Sequence, residues 1–492
     1  MELRVGHVCT LAAVFAVALS CAGVARTGLD LRRATTPLEL GIASEEPKWD
    51  ADGGHRYYSA LADLGLTTSR LAITWDPAQP LTIFERSLFD SRLPQAAARG
   101  IDVSLVITAS HPSVFSDQVN RELLPGFLQL LAHTYPQITT YVIGNEPNDS
   151  HFWRPQFDPN SRPVSPAAFV DLLARSYDAL KAVNPDIRVS AGGLVARGND
   201  NPYAPSHISI SPVRFIAAMG QAYRASGRAA PIMDEVSFHP YPHRAQDGLL
   251  KSYAWPNAGI ADLDRIKQAY WDAFRDTSQP TFESGLTFNL DETGWQVGIG
   301  PEQSTAYEGR ELSSVTDEPS QAQIYGQMIR YLACDPSVRS ALIYRLTDDS
   351  DLAQWQSGLI RADGSRRASY ESVRQAVAQT GGRCAGQMRS FRHAVAVIGA
   401  RPTFRLGHRP AQSTGFGFTI TAEENASVEA TIMKAGTPVA TSSAKLTARW
   451  STAIRFPHVR LKPGWYRYSV RLQAELNPAR SSSFISPAFR VG

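Results

Sequence analysis

Two glutamates stand at the ends of strand-like runs. Thr140-Tyr141-Val142-Ile143-Gly144-Asn145-Glu146-Pro147-Asn148 opens as a β-branched and aromatic stretch and closes on an amide, a carboxyl and a proline. Such a run reads as a buried strand, and proline cannot donate to a sheet ladder, so the strand stops there with Glu146 at its carboxyl end. Phe288-Asn289-Leu290-Asp291-Glu292-Thr293-Gly294-Trp295 is a second apolar-to-acidic strand end. Either carboxylate alone fits a loop cap. A pair at two strand ends, with several βα units between them, suits the chemistry of glycosidic bond cleavage, which needs one ionised and one protonated carboxyl group.

Elements able to position such a pair are legible over residues 38–382. Strand and helix signals alternate eight times. Strands are expected at 38–42, 69–75, 103–108, 140–145, 188–191, 235–238, 286–290 and 341–346. Helices are expected at 52–64, 88–99, 123–135, 165–183, 211–225, 260–274, 320–332 and 369–378. Ser165-Pro166 and Ser211-Pro212 have the form of helix starts. This alternation predicts a (β/α)8 barrel with its chemistry at the carboxyl ends of the strands. A doubly wound open sheet is the competing arrangement, but the glycine-rich phosphate turn it usually carries after its first strand is missing. From residue 386 the helical periodicity gives way to short alternating runs. In one, Tyr466, Tyr468, Val470 and Leu472 share a face opposite Arg467, Ser469 and Arg471. Residues 386–492 therefore read as a small β-sandwich of immunoglobulin or fibronectin type. It could bind polysaccharide, although a packed accessory module is the preferred reading.

The ends of strands two, four, six and seven carry a consistent set of short motifs. Gly65-Leu66-Thr67-Thr68-Ser69-Arg70-Leu71, Gly144-Asn145-Glu146-Pro147, His239-Pro240-Tyr241 and Asp291-Glu292-Thr293-Gly294-Trp295 occur in that order. Together they resemble the clan A retaining glycoside hydrolases, of the kind found in the family 5 cellulases and the family 39 enzymes. The resemblance covers roughly residues 38–380. It implies Glu292 as nucleophile, Glu146 as acid/base, Arg70 and Tyr241 beside the nucleophile, and Asn145 donating to a sugar hydroxyl. His111, His239, Trp295 and Tyr344 are then expected to line the substrate site.

Trp75, Trp153, Trp295 and Trp355 follow strands two, four, seven and eight, where sugar-stacking platforms would lie. The clan often ends its eighth strand in tryptophan. Here Ile343-Tyr344-Arg345-Leu346 stands instead, so Tyr344, or Trp355 from the following loop, is the expected substitute. Arg345 could meet an acidic sugar or pair with Asp348 or Asp349. His243 could equally be a satisfied core residue. Asp291, next to the nucleophile, is expected to face the other way and to be structural, since successive strand residues alternate sides.

The composition agrees. With 492 residues, 43% hydrophobic and 19% charged, the chain has a globular balance that argues against disorder. A net charge of +3 with scattered basic residues favours neither nucleic acid nor an anionic membrane surface as partner. The expected partner is a polysaccharide or oligosaccharide, with the chain as a monomer and no cofactor or metal.

Arg4, the apolar run 8–19 and the small residues up to Ala25 have the form of a secretory signal, followed by a linker over 26–37. The protein is therefore expected to be secreted or at the cell surface. Ala18-Leu19-Ser20-Cys21 loosely resembles a lipoprotein box, which makes lipidation at Cys21 the alternative. No later segment is long and apolar enough to span a membrane. Apart from Cys9 and Cys21, the cysteines are Cys334 and Cys384, and in an exported chain a single disulfide between them is expected. The functional alternative is a catalytically inactive barrel serving as a secreted carbohydrate-binding or cell-envelope protein.

Overall fold

The computed structural model describes residues 36–404 and 416–492. The expected signal segment and the possible lipidation site at Cys21 lie outside the described residues.

Eight parallel strands close into a barrel in sequence order: β1 (Glu39–Ala43), β2 (Thr68–Trp75), β3 (Asp102–Ala109), β4 (Thr140–Asn145), β5 (Arg188–Val195), β6 (Glu235–His239), β7 (Thr287–Thr293) and β8 (Val338–Tyr344). β8 returns to β1, with Glu39 opposite Ser340 and Ala43 opposite Tyr344. The expected (β/α)8 barrel is therefore present. The α-helices are α1 (Glu46–Trp49), α2 (His55–Leu64), α3 (Arg86–Ala97), α4 (Gln118–Thr134), α5 (Ser165–Val183), α6 (Pro212–Ala225), α7 (Leu263–Phe274), α8 (Glu318–Leu332) and α9 (Ala368–Thr380). Their apolar faces pack on the outside of the strands in one continuous core.

Helix starts depart most from the sequence expectation, because capping rather than periodicity sets them. Asp52 is not the first residue of α2. Its carboxylate accepts from the backbone N–H groups of Gly54, His55 and Arg56 and caps the helix from outside. Asp117 does the same for Val119 and Asn120, so α4 begins at Gln118, ahead of the amphipathic run.

Two strands run further than their apolar runs. β5 continues through Gly192-Gly193 to Val195, with a register irregularity against β6 between Ala191 and Leu194. β7 continues through both acidic residues to Thr293. Leu290 pairs with Ala341 and Thr293 with Ile343, so one extra residue is accommodated on β7 as a bulge around Asp291 and Glu292.

The later segment forms antiparallel sheets. β9 (Arg401–Thr403), β10 (Phe416–Thr421) and β13 (Thr452–Phe456) make one, in the order β13-β10-β9. β11 (Ala426–Lys434), β12 (Thr437–Leu446), β14 (Gly464–Ala474) and β15 (Ser481–Ile485) make the other, in the order β12-β11-β14-β15, and β16 (Phe489–Val491) also pairs with β14. Tyr466, Tyr468, Val470 and Leu472 of β14 all point into a separate core. Arg480 joins this module to the barrel, with Nε 3.0 Å from Asp272 of α7.

Cys334, just after α8, is disulfide-bonded to Cys384, just after α9. Among the described residues no helix is long and apolar enough to cross a membrane.

Candidate active site

Glu146 follows β4 directly, and its backbone is left-handed, with φ at 41°. For a residue with a side chain that conformation costs roughly 1–3 kcal/mol and persists only where surrounding contacts enforce it. Here Glu146 C=O accepts from Asp149 N–H at 2.9 Å, and Oε1 lies 2.7 Å from Nδ1 of His239. The turn lifts the carboxyl from the end of β4 towards β6 and β7.

Glu292 sits in the β7 bulge. Its Oε1 is 2.6 Å from Nη1 of Arg70, and its Oε2 accepts from the Tyr241 hydroxyl at 3.0 Å. Both oxygens are held from outside, which fixes the plane of the carboxylate. Burial pushes the Tyr241 phenol well above its usual range, and the charge of Glu292 pushes it further, so Tyr241 stays a donor. An oxygen of Glu146, a nitrogen of His239 and an oxygen of Glu292 lie within 4.8 Å of one another.

Arg70 reaches in from β2 and is buried. Besides Glu292 it donates through Nη2 to Asn145 Oδ1 at 2.9 Å. This fixes the orientation of the amide, so that its NH2 end is the one turned away from the guanidinium.

His239 ends β6 and is fully buried. Burial disfavours charging the ring, but Glu292, Asp291 and the hydrogen-bonded partners push its pKa up to about 10. Gly193 of β5 makes room for the ring: a Cβ there would lie 2.0 Å from His239 Nε2. The missing side chain at Gly193 is thus what lets the imidazole lie against β5.

Burial holds the Glu146 carboxyl above its ordinary range. The hydrogen bond and charge of His239 oppose that shift, and the charges of Glu292 and Asp149 add to it. The arrangement is one carboxyl inclined to keep its proton beside another clamped by a cation and a phenol.

A metal at this cluster would have to compete for Glu292 with Arg70, which already covers Oε1, and with the Tyr241 hydroxyl, which donates to Oε2.

Asp291 does not face away. The bulge brings it to the same cluster, where Oδ2 is 2.9 Å from Arg70 Nε and Oδ1 is 3.2 Å from His239 Nε2. The alternation expected of a regular strand fails because β7 is not regular at that point. Ser237, two residues before His239 on the same face of β6, donates to Asp291 Oδ1 and went unnoticed in the sequence.

The aromatic expectations divide. Trp75, Trp153 and Trp295 are 0, 1 and 2% exposed. Trp295, expected to meet substrate, instead donates its indole N–H to Asp247 C=O at 2.9 Å and plugs the loop after β7. Trp355 is only partly buried, and its ring lies 4.9 Å from that of Tyr241 and 5.6 Å from that of Tyr344. Those three rings form the aromatic wall beside Glu292.

His111 is exposed on the loop after β3. Arg345 pairs with Asp349 at 3.0 Å, the more ordinary of its two readings. His243 is exposed and contacts Arg197, so it is not a core residue.

No known protein family matches the chain, and no curated protein matches it. Solved structures do. A family 39 glycoside hydrolase from Bacteroides cellulosilyticus WH2 is 16% identical, with 86% of this chain and 82% of that one covered and a TM-score of 0.47. A family 39 β-xylosidase from Caulobacter crescentus is 15% identical over 87% and 98% of the two chains, with a TM-score of 0.46. A glucosidase from Croceicoccus marinus is 13% identical over 93% and 96%, with a TM-score of 0.48. Likeness at this level carries no functional inference, so the reading that follows rests on the site itself.

Proposed function

We propose that this protein is a retaining glycoside hydrolase acting on a polysaccharide or oligosaccharide, with Glu292 as nucleophile and Glu146 as acid/base. The observation that carries the reading is the closeness of the two carboxyl groups, which bring an oxygen each within 4.8 Å. Inverting enzymes hold their pair about 6.5–9.5 Å apart to admit a water, whereas retaining ones hold theirs at about 5–5.5 Å.

The first step breaks the bond from the anomeric carbon to the leaving oxygen. Glu292 attacks that carbon while Glu146 passes its proton to the departing oxygen. Arg70 and the Tyr241 phenol keep Glu292 ionised and oriented until then. In the glycosyl ester Glu292 has lost its charge, and with it one influence that holds the proton on Glu146. Glu146 then ionises, takes a proton from water, and the resulting hydroxide displaces Glu292 with net retention. Asn145, fixed by Arg70, is placed to donate to a ring hydroxyl next to the reacting carbon. Trp355 and Tyr344 offer ring faces to the sugar.

Export is part of the proposal: the disulfide between Cys334 and Cys384 suits an oxidising compartment.

The test is a panel of polysaccharides and aryl glycosides run on wild type, Glu146→Gln and Glu292→Gln in parallel, with proton NMR of the first-formed anomer. Hydrolysis by wild type alone, giving a product of unchanged configuration, is the expected result. Binding of sugar without any turnover would favour a carbohydrate-binding barrel instead, and an inverted product would assign a different mechanism.

A further inference from the structure

Beneath the two glutamates lies a third carboxylate that touches neither. Asp291 is fully buried, and each of its oxygens faces a cation. Oδ2 meets Arg70 Nε, and Oδ1 meets His239 Nε2 while also accepting from Ser237. Those cations lead in two directions. Arg70 goes on to Glu292 and Asn145, and His239 goes on to Glu146. One side chain is therefore tied to both halves of the site.

We propose that Asp291 is a positioning residue: its carboxylate keeps His239 protonated on both nitrogens, which fixes the catalytic proton of Glu146 on Oε2. The proposal rests on the assignment of Glu146 as acid.

The argument is one of charge and hydrogen-bond direction. Deeply buried charges persist only when paired. With Glu146 protonated, the cluster holds two cations, Arg70 and His239, and two anions, Glu292 and Asp291. His239 with protons on both nitrogens donates one to Oε1 of Glu146, so Oε1 can only accept, while its Nε2 lies 3.2 Å from Asp291 as an ion pair without hydrogen-bond geometry. The acid proton of Glu146 is left on Oε2. A neutral His239 carrying its proton on Nε2 would instead take a proton from Glu146 Oε1 at Nδ1, drawing the catalytic proton away from substrate.

Asp291 is also the anion that does not change during turnover. When Glu292 becomes an ester, Asp291 alone still balances Arg70 and His239. The remaining positive excess favours ionised Glu146, as the second step requires. The β7 bulge is what puts a constant and a cycling carboxylate on consecutive residues and into one cluster. The groups facing His239 are Glu146 after β4, Ser237 on β6, Tyr241 just after β6, and Asp291 and Glu292 on β7. Arg70 stands behind the last two.

Proton NMR of the full chain in water tests this. Strongly hydrogen-bonded imidazole N–H protons resonate downfield of the amides, and His239→Asn identifies those of His239. Wild type is expected to show a proton on each His239 nitrogen, the Nδ1 proton bonded to Glu146 furthest downfield, and both persisting well into the alkaline range. In Asp291→Asn the His239 midpoint should fall by about one pH unit or more. The same variant should lose kcat roughly 10²-fold while KM stays within a few-fold. A single His239 N–H signal in wild type overturns the proposal, and so does a midpoint unmoved in folded Asp291→Asn. Should that variant not fold, the wild-type signals decide alone. If wild type hydrolyses no glycoside, the hydrolase reading falls, while the NMR result still decides what Asp291 does to His239.

Discussion

Arg70 Nη1 stands 2.6 Å from Glu292 Oε1, and the same guanidinium holds Asn145 and Asp291 through its other nitrogens. A planar fork is needed to face three groups at once. Lysine keeps the charge but offers a single ammonium on a flexible stem. Arg70→Lys should therefore leave the protein folded and KM within a few-fold, while kcat falls roughly 10²-fold. Steady-state kinetics on an aryl glycoside, with circular dichroism as the folding control, check it. Unchanged kcat would show that charge alone suffices at this position.

His239 sets the proton affinity of Glu146 by donating to it. Both its hydrogen bond and its charge hold the Glu146 carboxyl lower than burial alone would. His239→Asn removes the charge, so the Glu146 pKa should rise. The acid must be protonated to act, so the alkaline limb of kcat/KM should move to higher pH even as the maximum falls. A limb that moves down, or stays, would assign it to another group.

These residues were unequally visible in the sequence. Asn145, Glu146, His239, Tyr241 and Glu292 each lie at or near the carboxyl end of a strand, where the eight-fold alternation predicted those ends would be, and Arg70 reaches the same cluster from within β2. What could not be seen depends on register. The bulge at Asp291 is a mismatch between β7 and β8, and no glycine or proline flags it within Phe288–Glu292. Trp295 and Trp355 are the same residue type in the loops after β7 and β8, and only packing separates the buried plug from the partly open ring. Ser237 and Glu235 had a usable signal: they precede His239 at i−2 and i−4, so all three share the inward face of β6.

Gly193 is fixed by sterics. Its missing side chain is the space in which the His239 ring lies. Gly193→Ala cannot be absorbed by a flexible neighbour, because the ring is held at both nitrogens. The variant should lose about 1–3 kcal/mol of stability. Activity should fall to a level similar to that of His239→Asn, since the ring must leave its place. Urea denaturation and kinetics measure the two effects, and full activity in Gly193→Ala would show that His239 is not needed where it stands.

Glu235, the first residue of β6, lies at the opposite end of the barrel interior and gives a stability prediction of defined sign. Its Oε1 is 3.1 Å from Nε of both Arg188 and Arg339. Burial nevertheless raises its pKa to about 7, with the two arginines pulling it down and Glu39 and Asp234 pushing it up. An unfolded glutamate titrates near 4.3. Between those values the folded chain keeps a proton that the unfolded chain has released, so stability falls as pH rises. The contribution is fully present below about pH 4.3 and is lost as pH passes through about 7. Glu235→Gln keeps a neutral side chain at every pH. Its melting temperature should therefore decline less than that of wild type over this window. Parallel slopes for the two proteins would mean that Glu235 is already ionised in the fold, with Arg188 and Arg339 outweighing its burial.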